Sequence, residues 1–214
     1  MHEITPPPGA QPGARPGASF DPQPVRLEGR RATIEPLELR HASALFEVGS
    51  ESTVWRYLPR GAFRSVADAT GWVQEALEDQ AAGAQIPFAI IDAESGKVAG
   101  STRYLEIRPE HWGLEIGWTW LGPAFQRTGI NTECKYLLLS HAFDQLDAMR
   151  VQLKTDERNT QSQRAIERIG AVREGTLRAH MLMWDGHVRD SVYFSITRSE
   201  WPAVKDRLQK LMAR

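Results

Sequence analysis

Two adjoining features of this sequence have the residue types and the order needed for chemistry. In His111 to Leu121 the even positions Trp112, Leu114, Ile116, Trp118 and Trp120 are large and apolar, while the odd ones are His111, Gly113, Glu115, Gly117 and Thr119. A strand turns alternate side chains to opposite faces. One face can therefore pack a core while the other, small and holding a single carboxylate, leaves room for a ligand. Directly after it comes Gly122-Pro123-Ala124-Phe125-Gln126-Arg127-Thr128-Gly129-Ile130-Asn131, then a helical stretch from Thr132 to Leu146 with Leu137, Leu138 and Ala142 on one side. The first turn of a helix offers free backbone N–H groups and a partial positive charge, and Gly129 lets an anion approach with no Cβ in the way. Phosphate is the natural guest. Neither the lysine of a Walker loop nor a GxGxxG run is present, so the turn by itself carries little weight.

These features need a scaffold, and the surrounding periodicities supply one. Arg31 to Pro36 reads as a strand, Glu38 to Val48 as a helix with Leu39, Ala42, Leu45 and Phe46 on one face, and Val54 to Leu58 as a short helix. Ser65 with Asp68 resembles a capping box ahead of a helix that buries Ala69, Trp72, Val73, Ala76 and Leu77. Phe88 to Asp92 and Lys97 to Ile107 read as strands joined through Glu94, Ser95 and Gly96. Beyond the anion turn and its helix follow a strand Arg150 to Thr155, a short helix with Ala165, Ile166 and Ile169 ending at Gly170, and strands Val172 to Met183 and Arg189 to Ile196. Asp185-Gly186 between the last two signals a type I′ turn. Thr197 with Glu200 suggests a second capping box, before a C-terminal helix with Trp201, Val204, Leu208 and Leu211 on one face. Helices and strands alternate without a regular βαβ period, which predicts an α+β fold: a mixed, mostly antiparallel central sheet flanked by helices.

Composition narrows the function. The chain has 214 residues, 41% hydrophobic and 25% charged, enough for one sizeable core. Twenty-six Lys and Arg against 27 Asp and Glu leave a net charge of -1, so no excess of positive charge argues for nucleic acid. The single cysteine, Cys134, forbids an internal disulfide and leaves no CxxC pair for zinc, so no metal is expected and a cytoplasmic setting suits the chain. No apolar run approaches the ~20 residues that cross a bilayer, and no membrane partner is expected. Seven of the 13 prolines lie in Met1 to Pro24, which reads as a disordered Pro/Gly-rich tail over 1-24, leaving a single domain over 25-214. The three tryptophans of the 111 to 121 strand are read as core on its apolar face. Cys134, in the first turn of the helix after Gly129, could form an acyl-cysteine, but a small buried Cys is the commoner case.

The order strand, QRTGIN turn, helix, strand, then Asn159, Ser162, helix and Gly170 resembles the GCN5-related N-acetyltransferase (GNAT) superfamily, in particular its RimJ/RimL-like branch. The resemblance covers nearly all of Val25 to Arg214 and implies the acyl-CoA N-acyltransferase fold, with acetyl-CoA as cosubstrate and an amine as acceptor. It implies that Gln126, Arg127, Thr128, Gly129, Ile130, Asn131 and Thr132 bind the pyrophosphate, with Asn131 standing where the family has Gly or Ala; its side chain could instead cap the helix. It implies that Asn159 contacts the pantetheine arm, and that backbone N–H groups around Trp118, Trp120 and Leu121 hold the thioester oxygen. Many members carry a tyrosine acid where this chain has Ile166, which cannot donate a proton. The RimL-like branch instead has a Ser at the place of Ser162, the candidate acid or thiolate partner here, whose alternative role is to cap the helix. Members also place a carboxylate on the strand of Glu115, the candidate base; its alternative is an ordinary exposed strand residue. His111, His180 and Tyr193 are read as surface or hydrogen-bonded residues, the alternative being that they line the acceptor side. RimL-like relatives often pair, which implies a homodimer.

The reaction so implied needs a neutral amine, a polarised carbonyl and a path for a proton. An α-amino group of pKa ~8 needs about one unit of deprotonation at pH 7, roughly 1.4 kcal/mol, whereas a lysine at ~10.4 needs roughly 4 to 5 kcal/mol. A weakly basic amine, such as a peptide N-terminus or a small-molecule amine, therefore demands least of the protein. The rival reading is a non-catalytic acyl-CoA-binding or interaction module that keeps the turn but has lost its acid.

Overall fold

The computed structural model describes residues 20–213. An eight-stranded sheet has the order β1-β2-β3-β4-β5-β6-β8-β7, built from β1 Leu27–Glu28, β2 Ala32–Pro36, β3 Gln85–Asp92, β4 Val98–Arg108, β5 Gly113–Leu121, β6 Arg150–Asp156, β7 Val172–Leu182 and β8 Val188–Thr197. Every neighbouring pair is antiparallel except β5 and β6. Five α-helices cover it: α1 Ala42–Gly49, α2 Val66–Ala81, α3 Ile130–Ser140, α4 Thr160–Ile169 and α5 Trp201–Met212. The α+β expectation holds, with a mostly antiparallel sheet between helices.

Two separate cores follow from the two faces. On one, Ile130, Cys134 and Leu138 of α3, Ile166 and Ile169 of α4 and Trp201, Val204 and Leu208 of α5 pack against Ile34, Phe88, Tyr104, Leu114 and Val151. On the other, Leu45 of α1 and Trp72 and Val73 of α2 pack with Trp55, Phe63 and Trp120. Ring centroids of Trp55, Phe63, Trp72 and Trp120 lie 4.8 to 6.4 Å apart, tilted or edge-on as the quadrupoles of aromatic rings prefer.

The site depends on an irregularity in β5. The ladder to β4 pairs Ser101 with Trp120 but Arg103 with Gly117, so β5 carries an extra residue there, and Trp118 takes φ 50, in the left-handed region. Such a bulge re-aims side chains. Leu114 and Ile116 lie in the α3-side core, whereas Trp120 packs on Trp72 of α2, and Thr119 meets Lys135 of α3. The strict alternation expected for residues 111 to 121 therefore fails at Trp118. Trp112 and Trp120 do not share a face, nor do Glu115 and Thr119. At Gly100, facing the end of β5, an added Cβ would lie 2.0 Å from the Trp120 carbonyl, so only glycine allows this approach.

Local details depart from expectation in four more places. Phe20 is buried and lies 6.3 Å from Trp112, so the packed chain begins before residue 25; the tail expected over 1-24 otherwise falls on residues outside those described. At Asp185-Gly186 only Gly186 has positive φ, with its N–H donating to the Met183 carbonyl, which is a type I turn with a following left-handed glycine rather than type I′. The helix expected over 132 to 146 starts at Ile130 and widens into a π turn over His141–Gln145. Glu200, rather than Thr197, is the N-cap of α5; its carboxylate accepts the Thr197 N–H and hydroxyl at 2.8 Å.

Candidate active site

β5 and β6 pair in parallel only over Gly113–Glu115 against Arg150–Gln152. Beyond Glu115 they separate, and the sheet opens into a cleft of about 500 Å³. Its walls come from Ile116 to Thr119 on β5, Leu153 to Thr155 on β6, the N-terminal turns of α3 and α4, and residues 53 to 59. A parallel pair has no hairpin to hold its ends together, so strands joined at one end can diverge at the other. Bulged β5 turns away toward β4, while β6 stays paired with β8 along its whole length.

The anion turn stands at the mouth of that opening. Gly129 is the N-cap of α3 with φ +92, and Arg127 is also left-handed at φ 63. Gln126 Nε2 donates to the Leu121 carbonyl (3.0 Å) and Thr128 Oγ1 to the Phe125 carbonyl (2.7 Å), fixing the turn to the end of β5. Glu133 N–H closes the first helical bond on the Gly129 carbonyl. Among the described residues no acceptor meets the N–H groups of Ile130, Asn131 and Thr132, which are the free donors a bound anion requires. Asn131 makes no capping bond and lines the cleft. An added Cβ at Gly129 would lie 2.3 Å from Arg31 Nη1, so an exposed guanidinium rests on the turn. The turn 29 to 32 that carries Arg31 is held by Glu133, whose carboxylate accepts the N–H groups of Arg30 (3.0 Å), Arg31 (2.5 Å) and Ala32 (2.8 Å).

Of the residues expected at the site, Glu115, Trp118, Leu121, Gln126, Arg127, Asn131, Asn159 and Ser162 line the cleft. Thr128, Gly129, Ile130 and Thr132 form the turn behind it, and the Trp120 ring points away into the α2-side core. Asn159 caps α4, its Oδ1 accepting the Ser162 N–H at 3.0 Å. Ser162 is therefore not the cap. Ile166 is buried and presents a hydrocarbon surface to the cleft. Cys134 is fully buried in the α3-side core, where loss of hydration pushes its thiol up to about 12, the reverse of what an acyl-carrying thiolate needs. His111 is exposed, while His180 bridges Ser191 Oγ (3.0 Å) and the Tyr193 hydroxyl (3.3 Å).

Glu115 is not an exposed strand residue. It is 1% exposed, its Oε2 accepts Gln152 Nε2 at 2.8 Å and lies 3.3 Å from Lys154 Nζ. Its Oε1 hangs over Gly117, where any Cβ would approach it to 2.8 Å, so the glycine makes room for the carboxylate in the cleft.

Lys135 was not anticipated. From α3 its ammonium reaches the bulge and donates to Thr119 Oγ1 at 2.7 Å; Thr119 in turn meets Thr102 Oγ1 at 2.8 Å. The signal was its place one turn beyond Asn131, on the same helix face as the anion turn. Burial brings Lys135 down to about 8 from 10.5, with Cys134 and Glu115 pulling the other way. A lysine depressed in the fold costs stability while it is charged: the full cost applies below pH 8, fades between 8 and 10.5, and is absent above. The shift corresponds to about 3 kcal/mol at pH 7, against which the Thr119 hydrogen bond returns about 1 kcal/mol. Lys135→Met is therefore expected to raise stability by about 2 kcal/mol at pH 7, some 4–8 °C in Tm. At pH 10.5 the sign should reverse, leaving the variant less stable by about 1 kcal/mol. Thermal unfolding at the two pH values checks this, and an equal Tm difference at both would show that the amine is hydrated.

A sheet that opens beneath a helix N-terminus, with an anion cradle at one end and a buried carboxylate farther in, has the architecture of an enzyme that moves a group from a phosphate-bearing donor. Comparison with known proteins gives the class its name. Residues 31–172 match the acetyltransferase (GNAT) domain family. An uncharacterized N-acetyltransferase of Bacillus subtilis is 27% identical over 177 residues, 83% of this chain and 99% of its own. A crystal structure of a GCN5-related N-acetyltransferase from Brucella melitensis superposes with a TM-score of 0.86 at 32% identity, covering 91% of this chain and 88% of that one. RimJ of Mycobacterium smegmatis, solved with CoA-disulfide, shares the fold at a TM-score of 0.78 and 20% identity, over 91% of this chain and 97% of its own. The chain belongs to the GNAT family of N-acetyltransferases, whose members use acetyl-CoA. It is an acyltransferase, and the reading as a module without catalysis is set aside.

Proposed function

We propose that this enzyme transfers the acetyl group of acetyl-CoA to a primary amine by direct attack, with its own residues placed as follows. The N–H groups of Ile130, Asn131 and Thr132, with Gln126, Arg127 and the exposed guanidinium of Arg31, receive the CoA diphosphate. The pantetheine arm runs along the opening between β5 and β6, beside Asn159. The bulge at Trp118 frees backbone N–H groups of β5 from the β4 ladder, and these hold the thioester oxygen as negative charge grows on it. The amine enters from the side of residues 53 to 59. Glu115 takes the ammonium proton, directly or through water, while Gln152 and Lys154 hold its carboxylate in place. Ser162 Oγ donates to the departing thiolate.

The opening of the sheet under the α3 N-terminus supports this reading most directly, because it joins a phosphate cradle to a buried carboxylate through one continuous cleft. The reading is tested by calorimetry with CoA and by release of free thiol from acetyl-CoA over a panel of peptides, polyamines, aminoglycosides and amino acids. Binding together with amine-dependent thiol release is expected. Absence of CoA binding to the folded protein would overturn the assignment.

A further inference from the structure

Among the described residues, Arg189 of β8 is a buried cation without a carboxylate partner, and it lines the cleft. It is 5% exposed, its Nε is inaccessible and unpartnered, and Nη1 reaches only the Tyr57 carbonyl, at 3.5 Å. Two carboxylates lie nearby, and both are occupied. Asp156 accepts the Arg158 N–H and Nε on Oδ1 (2.8 and 3.0 Å) and Arg158 Nη2 on Oδ2 (2.9 Å), while Glu115 is held by Gln152 and Lys154. Among the described residues both nearby carboxylates are therefore engaged by other groups, and neither hydrogen-bonds Arg189. A buried guanidinium is ordinarily paired, since its desolvation costs several kcal/mol. Here the side chain lines the cleft beside Tyr57, Leu58 and Met181, so a ligand can supply the missing partner. The donor's diphosphate is not that partner, because its cradle is built from α3 and the Arg31 turn, whereas Arg189 stands among β8 and residues 53 to 59.

We infer that Arg189 receives a carboxylate carried by the acceptor, so that the amine acetylated here belongs to an amino-carboxylate. The planar fork of arginine matches a carboxylate through two parallel N–H bonds. Asp156 and Glu115 lie near Arg189, so a monoanion is accommodated beside it more readily than a dianionic phosphate. This inference rests on the acetyl-transfer reading above and deepens it by naming the acceptor's second group. The carboxylate can come from a free amino acid or from an acidic side chain close to a peptide N-terminus.

The test uses the full chain with acetyl-CoA and matched acceptors differing only in that group: free amino acids against their amides, and peptides with Asp or Glu at the second position against Asn or Gln. The wild type is expected to favour the carboxylate member of one series by about 30-fold in kcat/KM, which is about 2 kcal/mol. The series that shows the preference identifies the source. Arg189→Gln should bring that ratio to about one, with Arg189→Lys in between, since a point charge cannot make the paired bonds. A wild-type ratio near one, an unchanged ratio in Arg189→Gln, or no turnover of any acceptor by protein that binds CoA would each overturn the inference. Where the variant fails to fold, the wild-type ratio decides alone. Loss of CoA binding in the wild type is the separate result that would sink the transferase reading.

Discussion

Gly129→Val should weaken CoA binding by at least about 100-fold, close to 3 kcal/mol, in calorimetry at fixed salt. The effect has two causes, and both lie in the backbone. Gly129 holds φ +92, which costs an L-residue roughly 1–2 kcal/mol and a β-branched one more. A valine can relieve that strain only by rotating the turn, which moves the N–H groups of Ile130, Asn131 and Thr132 off the phosphate. Its Cβ would also stand where Arg31 now rests, 2.3 Å from Nη1, so the cation that accompanies the diphosphate is displaced. Arg31 itself can swing aside, which is why the strain and the lost approach carry most of the effect. Tm should fall by about 2–8 °C, at 2–4 °C per kcal/mol for a chain of this size. Gly129→Ala should lie between. Unchanged affinity in the valine variant would place the diphosphate somewhere other than this turn.

Glu115→Gln should lower kcat/KM by about 10³-fold at pH 7, within the range a positioned general base contributes, while leaving CoA affinity intact. The substitution keeps shape and removes the charge that accepts the proton. It also leaves Lys154 without its 3.3 Å partner, so a fall in rate alone would not separate catalysis from packing. The pH profile does. As pH rises through the pKa of the acceptor, more of the amine arrives already neutral and less is asked of the protein. The deficit of the variant should therefore narrow at alkaline pH, most for a weakly basic amine. A deficit constant with pH would make Glu115 a positioning group for Lys154 and Gln152, and would leave the proton to another acceptor.

Much of the framework was legible from local pattern. Apolar residues at helical spacing marked α2 and α5, and Asn159 and Gly170 bracketed α4, because caps and amphipathic faces are decided by neighbours within a few residues. The anion turn was legible for the same reason: strand, glycine and helix stand consecutively. The bulge was not. Alternation along residues 111 to 121 looks unbroken, and the inserted residue at Trp118 is set by how β5 must register against β4, with Gly100 permitting the close approach. Phe20 was missed because it follows a proline-rich run and joins a core assembled from distant segments, including Trp112, 92 positions away.

Sequence alone determined the order of the elements and the turn at Gly129, since both follow from residues adjacent in the chain. The tertiary structure decided which side chains share the cleft. Glu115 meets Gln152 and Lys154 because β6 returns parallel to β5, and Lys135 reaches Thr119 because the bulge turns that hydroxyl toward α3. Among the described residues Arg189 lacks a carboxylate partner because Asp156 is already closed on Arg158. Charge and hydration at these groups depend on atoms brought from distant segments, and a periodicity read over a few residues carries no record of them.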